Sequence, residues 1–95
     1  MLVYWSNRAQ EDIARIVAYI AEDSPDGAER VERRIYQATA HLTEQPGIGR
    51  PGRVDGTREL VIGGTRYIVP YRVRGQVVEI VAVMHGAQQW PESFD

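Results

Sequence analysis

Residues 57–73 read TRELVIGGTRYIVPYRV, and this stretch decides the fold. Two runs rich in β-branched and aromatic residues flank the pair Gly63-Gly64. A two-residue glycine turn favours a β-hairpin, because glycine readily adopts the positive φ angles that such turns require. A second tight turn at residues 74–75 leads into another apolar run over residues 76–84. We therefore predict a three-stranded antiparallel meander.

The register of this hairpin assigns residues to the two faces of the sheet. With Gly63-Gly64 as the turn, Ile62 lies opposite Thr65, and alternate residues share a face. We expect the apolar and aromatic face to pack on helices, and the other, arginine-bearing face to be a binding surface. Pro70 cannot donate a ladder hydrogen bond, so it predicts an edge, a bulge or a bend. The first face holds Leu60, Ile62, Tyr67, Val69 and Tyr71, and the second holds Glu59, Val61, Arg66, Ile68, Pro70 and Arg72.

Two helices are predicted upstream of the meander. Residues 2–5, LVYW, predict a first strand, and Ser6 is a candidate N-cap for an amphipathic helix over residues 7–22. Ser24-Pro25 starts a second helix that reaches about Glu44, because proline is well tolerated at the first helical position. The short connection between the two predicts a helical hairpin.

The order of these elements defines the fold class. Residues 45–52 contain two prolines and three glycines, which predicts a loop between the second helix and the meander. We predict one α+β domain over residues 1–95, of order β-α-α-β-β-β. In it, a strand is followed by a helical hairpin that packs on an antiparallel sheet.

Composition narrows the function classes. The chain of 95 residues has no cysteine, which excludes disulfides and thiolate chemistry. We find no signal-peptide pattern and no apolar run approaching the ~20 residues that span a bilayer, so we expect a cytoplasmic protein without a membrane partner. Residues 1–49 carry five arginines and eight acids, whereas residues 50–90 carry six arginines and three acids. The second half therefore suits an acidic protein surface or a phosphate backbone.

Few constellations in the chain could carry chemistry. The two histidines, His41 and His85, lie on different predicted elements without metal-ligand spacing, so we predict no metal and no cofactor. Metal-free RNA cleavage needs a proton-transfer group and cations that stabilise the transition state. Arg58, Arg66 and His85 are the candidate catalytic residues for that reaction. We expect Glu59 and Glu79 to be cross-strand partners of arginine rather than paired catalytic acids.

Three motifs together resemble the RelE/ParE superfamily of type II toxin–antitoxin toxins. They are GTREL at residues 56–60, Y-x-x-x-YRV at residues 67–73 and HGAxxWP at residues 85–91. The resemblance extends over nearly the whole chain and implies the β-α-α-β-β-β fold. It also implies a small bacterial toxin that is encoded with, and neutralised by, an antitoxin.

The same resemblance separates two activities. Toxins of the RelE branch cleave messenger RNA on the ribosome, and there an arginine follows the aromatic residue that opens the middle strand, where this chain has Ile68. That branch also carries basic residues before the hairpin and an arginine after the last strand, where this chain has Arg58 alone and residues 87–90 read AQQW. The pattern is therefore closer to the ParE branch, which implies a non-enzymatic inhibitor of DNA gyrase. The alternatives are a ribosome-dependent endoribonuclease and a domain that only forms a complex with its antitoxin.

The resemblance also implies partners. We expect a ParD-like antitoxin to contact the helical hairpin, the sheet edge and the C-terminal segment, and DNA gyrase to be the target. Specific DNA binding is expected only through the antitoxin. The candidate residues for contact with the target or the antitoxin are Arg58, Arg66, Arg72, Tyr71, His85, Gln88, Gln89 and Trp90.

Overall fold

The computed structural model describes residues 1–94 and confirms the α+β class. A short first strand precedes two antiparallel helices, and a sheet built mainly from the second half of the chain packs against them. The elements are β1 (Leu2–Trp5), α1 (Asn7–Asp23), α2 (Pro25–Ala40), a 3-10 turn (His41–Thr43), β2 (Arg50–Pro51), β3 (Arg58–Val61), β4 (Tyr67–Arg74), β5 (Val77–Ile80) and β6 (Met84–His85).

Both helices begin at the predicted caps. The Ser6 hydroxyl accepts a hydrogen bond from the backbone N–H of Ala9 at 3.0 Å, and Ser24 accepts one from Gly27 at 2.9 Å. These bonds satisfy backbone donors that the first helical turn leaves unpaired. The helix α2 ends earlier than predicted, because the chain tightens into the 3-10 turn at His41. Within residues 1–94, neither helix is long and apolar enough to cross a membrane.

The sheet is antiparallel except at one edge. Its strand order is β1-β5-β4-β3-β2, and β6 pairs with β4 beyond the end of β5. The first strand runs parallel to β5, with Leu2 opposite Val77 and Trp5 opposite Ile80. This pairing joins segments about seventy-five residues apart in sequence, and no local pattern indicated it.

The predicted register of the β3–β4 hairpin is wrong by two residues. The N–H of Ile62 bonds to the carbonyl of Tyr67 at 3.1 Å, so Tyr67, not Thr65, lies opposite Ile62. The Thr65 hydroxyl donates to the Ile62 carbonyl at 2.8 Å and accepts from the Tyr67 N–H at 3.1 Å, which holds residues 63–66 in a four-residue loop. Gly64 supplies the positive φ of 77° in this turn. A shift of two residues leaves the predicted faces unchanged.

Pro70 lies at an interruption of the sheet, as its missing N–H predicts. Its carbonyl accepts from Val81 at 3.0 Å, so its nitrogen faces the same neighbour, where residues 81–83 separate β5 from β6. The last predicted strand is therefore two strands with a break, and the second turn falls at residues 75–76, one residue later than predicted. The loop over residues 45–52 also contributes the short strand β2.

One face of the sheet packs on the helices, and it is the predicted one. Val69, Tyr71 and Ile80 are fully buried there against Ile13 and Ile35 of the helices. We call the opposite side of the sheet the outer face. The amphipathic pattern of α1 has one exception, because the charged residue Asp12 is buried with 3% exposure. Its carboxylate accepts from the N–H of Val83 at 3.0 Å and so ties α1 to the break between β5 and β6.

Candidate functional site

The structure distributes the predicted site residues over separate places. His85, Gln88 and Arg66 lie where β4 begins, and Arg72 and Trp90 lie towards the outer face. Arg58 lies on β3, opposite Tyr71. The candidate residues therefore define two surfaces, a groove beside α1 and a cluster on the outer face, rather than one centre.

The first surface is an open groove between α1 and the β4–β6 edge, which we call the α1 groove. Its volume is about 280 Å³. The side of the groove formed by α1 contributes one arginine, one isoleucine and one tyrosine, and the strand side contributes aromatic and amide groups. The lining residues are Arg15, Ile16, Tyr19, Tyr67, Val83, His85 and Gln88.

His85 has a structural function in the wall of this groove. Its Nδ1 accepts the backbone N–H of Ala87 at 3.0 Å, which places the proton of the neutral ring on Nε2. The backbone N–H of His85 donates to Oε1 of Gln88 at 3.0 Å, and the N–H of Gln88 donates to the carbonyl of His85 at 3.1 Å. His85 and Gln88 therefore close the turn after β6, and Nε2 is the ring nitrogen left for a partner.

Tyr67 forms the floor of the groove. Its ring packs edge-on against His85, with centroids 5.6 Å apart. Burial raises the pKa of the Tyr67 hydroxyl, and the neighbouring Tyr19 raises it further, while Arg66 opposes the shift. The hydroxyl is therefore protonated at neutral pH and can donate a hydrogen bond into the groove.

The second surface centres on a buried carboxylate beneath the outer face. Glu59 is 2% exposed, and Arg50 donates to its Oε1 from Nε at 3.1 Å and from Nη2 at 2.9 Å. Arg53 donates from its backbone N–H at 2.8 Å, from Nε at 3.0 Å and from Nη2 at 3.2 Å. Burial alone would raise the pKa of Glu59, but the hydrogen bonds from Arg53 and Arg50 outweigh it and lower that pKa. Glu59 is thus an ionised partner of arginine, as predicted.

The C-terminal segment lies beside this cluster. The guanidinium of Arg53 stacks 3.8 Å from the centroid of the Trp90 ring, and Trp90 packs edge-on against Phe94. Arg72 pairs with Glu79 at 2.7 Å across the sheet and also approaches the Phe94 carbonyl. The predicted binding face is therefore covered in part by the chain's own tail. Among residues 1–94, the indole nitrogen of Trp90 is the one buried side-chain polar atom without a hydrogen-bond partner.

Two further candidate contact residues, Tyr71 and Arg58, hold the loop before β3 in place. Tyr71 is fully buried, and its hydroxyl donates to the Pro46 carbonyl and accepts from the Gly49 N–H, both at 2.8 Å. It has no exposed surface for a partner in this fold. Arg58 is exposed, but its Nη1 donates to the carbonyl of Gly49 at 2.9 Å.

The three candidate catalytic residues do not form one cluster. Arg66 and His85 are close in the backbone, because the N–H of Gly86 bonds to the Arg66 carbonyl at 2.9 Å. His85 lies opposite Tyr67 of β4, whereas Arg58 lies opposite Tyr71, four residues further along the same strand. Four strand residues correspond to roughly 13 Å. Within residues 1–94, no three His, Asp or Glu side chains come together as metal ligands would.

No sequence pattern indicated that Arg15, Tyr19, Arg50 and Arg53 belong to these two surfaces. Arg15 and Tyr19 belong to the part of the α1 pattern that reads as solvent-facing, and only their i, i+4 spacing relates them. Arg50 and Arg53 lie in a glycine- and proline-rich loop with no periodicity. The signal that could have indicated Arg50 and Arg53 was Glu59, because a carboxylate buried in a strand requires cationic partners.

Comparison with known proteins identifies the class. The family model described as "ParE toxin of type II toxin-antitoxin system, parDE" matches residues 3–90. A solved structure described as a chromosomal ParDE toxin–antitoxin system from P. aeruginosa superposes with a TM-score of 0.80 and 26% identity, over 90% of this chain and 95% of that one. The fold and the match over nearly the whole chain define a toxin of a type II toxin–antitoxin system.

Two of the similar sequences carry RelE names, although the matching family model is that of the ParE toxins. Y4kP of Sinorhizobium fredii, provisionally named a toxin, is 49% identical over 90 residues, which cover 95% of this chain and 93% of that protein. The toxins RelE1 and RelE2 of Caulobacter vibrioides are 34% and 36% identical over 86 residues, covering 88% and 90% of this chain and 91% and 96% of theirs. The chain belongs to the ParE toxin family, which confirms the predicted RelE/ParE membership.

Proposed function

We propose that this toxin stops bacterial growth in the cytoplasm by binding and inhibiting DNA gyrase, without cleaving RNA. We further propose that a ParD-like antitoxin neutralises it. The match to the ParE family over residues 3–90 supports both statements, as does the structural likeness to a ParDE system. The residues of the sheet favour a binding function over a catalytic one.

The observation that carries the proposal is the state of the outer face. Along β3 and the start of β4, the side chains on this face are the buried Glu59, Ile68 and Pro70 and the half-exposed Val61. An RNA-cleaving site needs groups that can move a proton and cations directed at the phosphate. Glu59 is ionised and occupied by two arginines, so it offers neither function. This face therefore lacks the groups that phosphoryl transfer requires, which favours a toxin that acts by binding its target.

The separation of the candidate catalytic residues supports the same conclusion. Arg58 is engaged with a loop carbonyl, and His85 uses Nδ1 to close its own turn. General acid–base catalysis requires the participating groups within hydrogen-bond reach of one substrate, about 2.6–3.2 Å. Arg58 and His85 pair with residues of β4 that lie four positions apart, so the two side chains do not meet that requirement together.

The deciding experiment measures gyrase activity directly. Purified toxin is titrated into gyrase and relaxed plasmid, and supercoiling and trapped cleaved DNA are followed on gels. We expect inhibition near equimolar toxin, which added antitoxin relieves. Unchanged supercoiling at a large molar excess of folded toxin would reject gyrase as the target.

A second candidate is a ribosome-dependent endoribonuclease, since two of the similar proteins are named RelE toxins. In a reconstituted translation reaction, that activity would produce cuts in the translated message that Arg66→Ala or His85→Ala abolishes. We expect intact message at toxin concentrations that inhibit gyrase. Cuts that depend on these residues, together with normal supercoiling, would replace the first proposal with the second.

A further inference from the structure

We propose that the α1 groove is an anchor site for one segment of the antitoxin. This segment carries an apolar residue with an acidic residue on one side of it and a basic residue on the other side. The inference rests on the proposed function, since it takes the antitoxin as the partner. It adds which surface of the toxin is recognised and the chemistry of the segment that binds there.

The apolar part of the site is an exposed tyrosine above a partly apolar floor. Tyr19 is 71% exposed, more than any other large hydrophobic side chain among the described residues. Ile16, Tyr67 and Val83 lie beside it in the groove. An open volume of about 280 Å³ has the size of one or two large side chains rather than of a drug-like ligand. Exposed aromatic rings around a concave surface are typical of protein interfaces.

The polar groups of the groove select an anion at one end. Arg15, Tyr19, Tyr67, His85 and Gln88 can all donate hydrogen bonds, and no carboxylate lines the groove. Arg15 is oriented by the buried carboxylate of Asp12, which binds its Nη2, yet 69% of the Arg15 side chain is exposed. A cation held in place at a groove rim suits a carboxylate from a partner.

The order of charged and aromatic residues along α1 defines the order of complementary residues in the bound segment. Arg15, Tyr19 and Glu22 follow one another at spacings of four and three residues, so they lie on one face of the helix. This face of α1 therefore presents a cation, an aromatic ring and an anion in that order, and Asp23 adds a second acid at the end of the helix. A complementary segment carries an acid opposite Arg15, an apolar residue in the groove and a base opposite Glu22. The negative end of the helix dipole and these acids disfavour a nucleic-acid backbone at this place.

The test measures binding of the antitoxin encoded beside the toxin gene to the full toxin, by isothermal titration calorimetry. We expect Tyr19→Ala to weaken binding at least about tenfold, as anchor residues of interfaces do. Arg15→Gln and Glu22→Lys should each weaken it by about three- to tenfold. Ile48→Ala and Asp55→Asn, which change an exposed isoleucine and an exposed aspartate in the loops before β3, are controls away from the expected antitoxin surface, with an expected change below about twofold.

The outcomes separate this inference from the proposed function. Circular dichroism and urea unfolding establish that each variant is folded, and Tyr19→Glu is a second solvent-exposed change should Tyr19→Ala be unstable. Unchanged affinity in Tyr19→Ala, Arg15→Gln and Glu22→Lys would overturn the anchor site. The binding assay contains no gyrase, so a toxin that fails to inhibit gyrase but shows these losses would reject the target and keep the groove.

Discussion

Replacing Glu59 with glutamine tests whether the buried ion-pair cluster stabilises the fold. The carboxylate accepts five hydrogen bonds, from the side chains of Arg50 and Arg53 and from the backbone N–H of Arg53. Glutamine keeps the shape but removes the charge, and its NH2 group faces arginine donors where an acceptor is required. We expect Glu59→Gln to lower the free energy of unfolding by about 2–3 kcal/mol.

The magnitude follows from the exposure of the three side chains. Removing one member of a buried ion pair costs about 3–5 kcal/mol, because the other charge is left buried without a partner. Here the arginine side chains are 52% and 42% exposed, so water recovers part of the loss. Glu59 itself is 2% exposed, which keeps the cost well above the value of about 0.5 kcal/mol for a surface pair.

The pH dependence has a definite sign. Because, against the effect of burial, the hydrogen bonds from Arg53 and Arg50 hold the folded-state pKa of Glu59 below its ordinary value of 4.5, the folded state binds the Glu59 proton less readily than the unfolded state. Its contribution to stability is therefore fully present above pH 4.5 and is lost as the pH falls through the lowered pKa. The difference in stability between wild type and Glu59→Gln should be constant near neutrality and should narrow in acid.

The assay is urea unfolding at pH 7 and at several acidic values, supported by thermal melts. A loss of about 2–3 kcal/mol corresponds to a fall in Tm of about 10–20 °C for a domain of this size. Glu29→Gln is the matched control, since its pair with Arg33 is exposed at both ends and should change stability by less than about 0.5 kcal/mol. A Glu59→Gln effect as small as that of the control, or one that does not narrow in acid, refutes this reasoning.

Three further changes test how the loop before β3 and the break after β5 are held, and urea unfolding measures all of them. Tyr71→Phe should cost about 1–3 kcal/mol, since the Pro46 carbonyl and the Gly49 N–H both lose their partner in the interior. Gly49→Ala should cost a similar amount, because an added Cβ would lie 2.6 Å from the Tyr71 hydroxyl. Asp12→Ala should cost about 2–3 kcal/mol, because the buried N–H of Val83 loses its acceptor. Wild-type stability in any one of these variants would contradict the role given to that contact.

The correctly predicted parts of the fold are those that are determined by residues close together in the sequence. The cap at Ser6 and the start of α2 at Pro25 are decided within one helical turn, and both are confirmed. The faces of the hairpin follow from strict alternation, so they withstand an error of two in the register. The position of β1 could not be found in this way, since parallel pairing with β5 is decided by packing across the whole domain.

The register error has a specific cause in the side chain of Thr65. A two-residue turn at Gly63-Gly64 is the ordinary expectation for that sequence. The threonine hydroxyl instead bonds to the backbone on both sides of the turn, which offers an alternative to strand pairing. Similarly, the sequence indicates a surface position for Asp12 on α1. A carboxylate is buried there because the break at residues 81–83 leaves the Val83 N–H without a strand partner, and Asp12 accepts its hydrogen bond.

The charge of the second half of the chain has a different meaning in the structure from the one that composition suggests. Six arginines between residues 50 and 90 indicate a basic surface directed at a partner. Arg50 and Arg53, however, are engaged with Glu59, and Arg72 is engaged with Glu79. Much of this positive charge therefore stabilises the sheet, its preceding loop and the tail, and is neutralised within the molecule.

What remains for recognition is placed by the fold rather than by the charge count. Among the described residues, Arg66 and Arg74 make no side-chain hydrogen bond, and they lie at opposite ends of β4. Neither end alone provides a strong electrostatic surface, because isolated exposed charges are screened beyond about 8–10 Å at physiological salt. Binding must then depend on shape and on apolar contact, and the α1 groove combines both with a cation already held in position. An antitoxin that recognises this toxin mainly through Tyr19 would accordingly bind with little dependence on salt, and a steep loss of affinity as salt rises would contradict this reasoning.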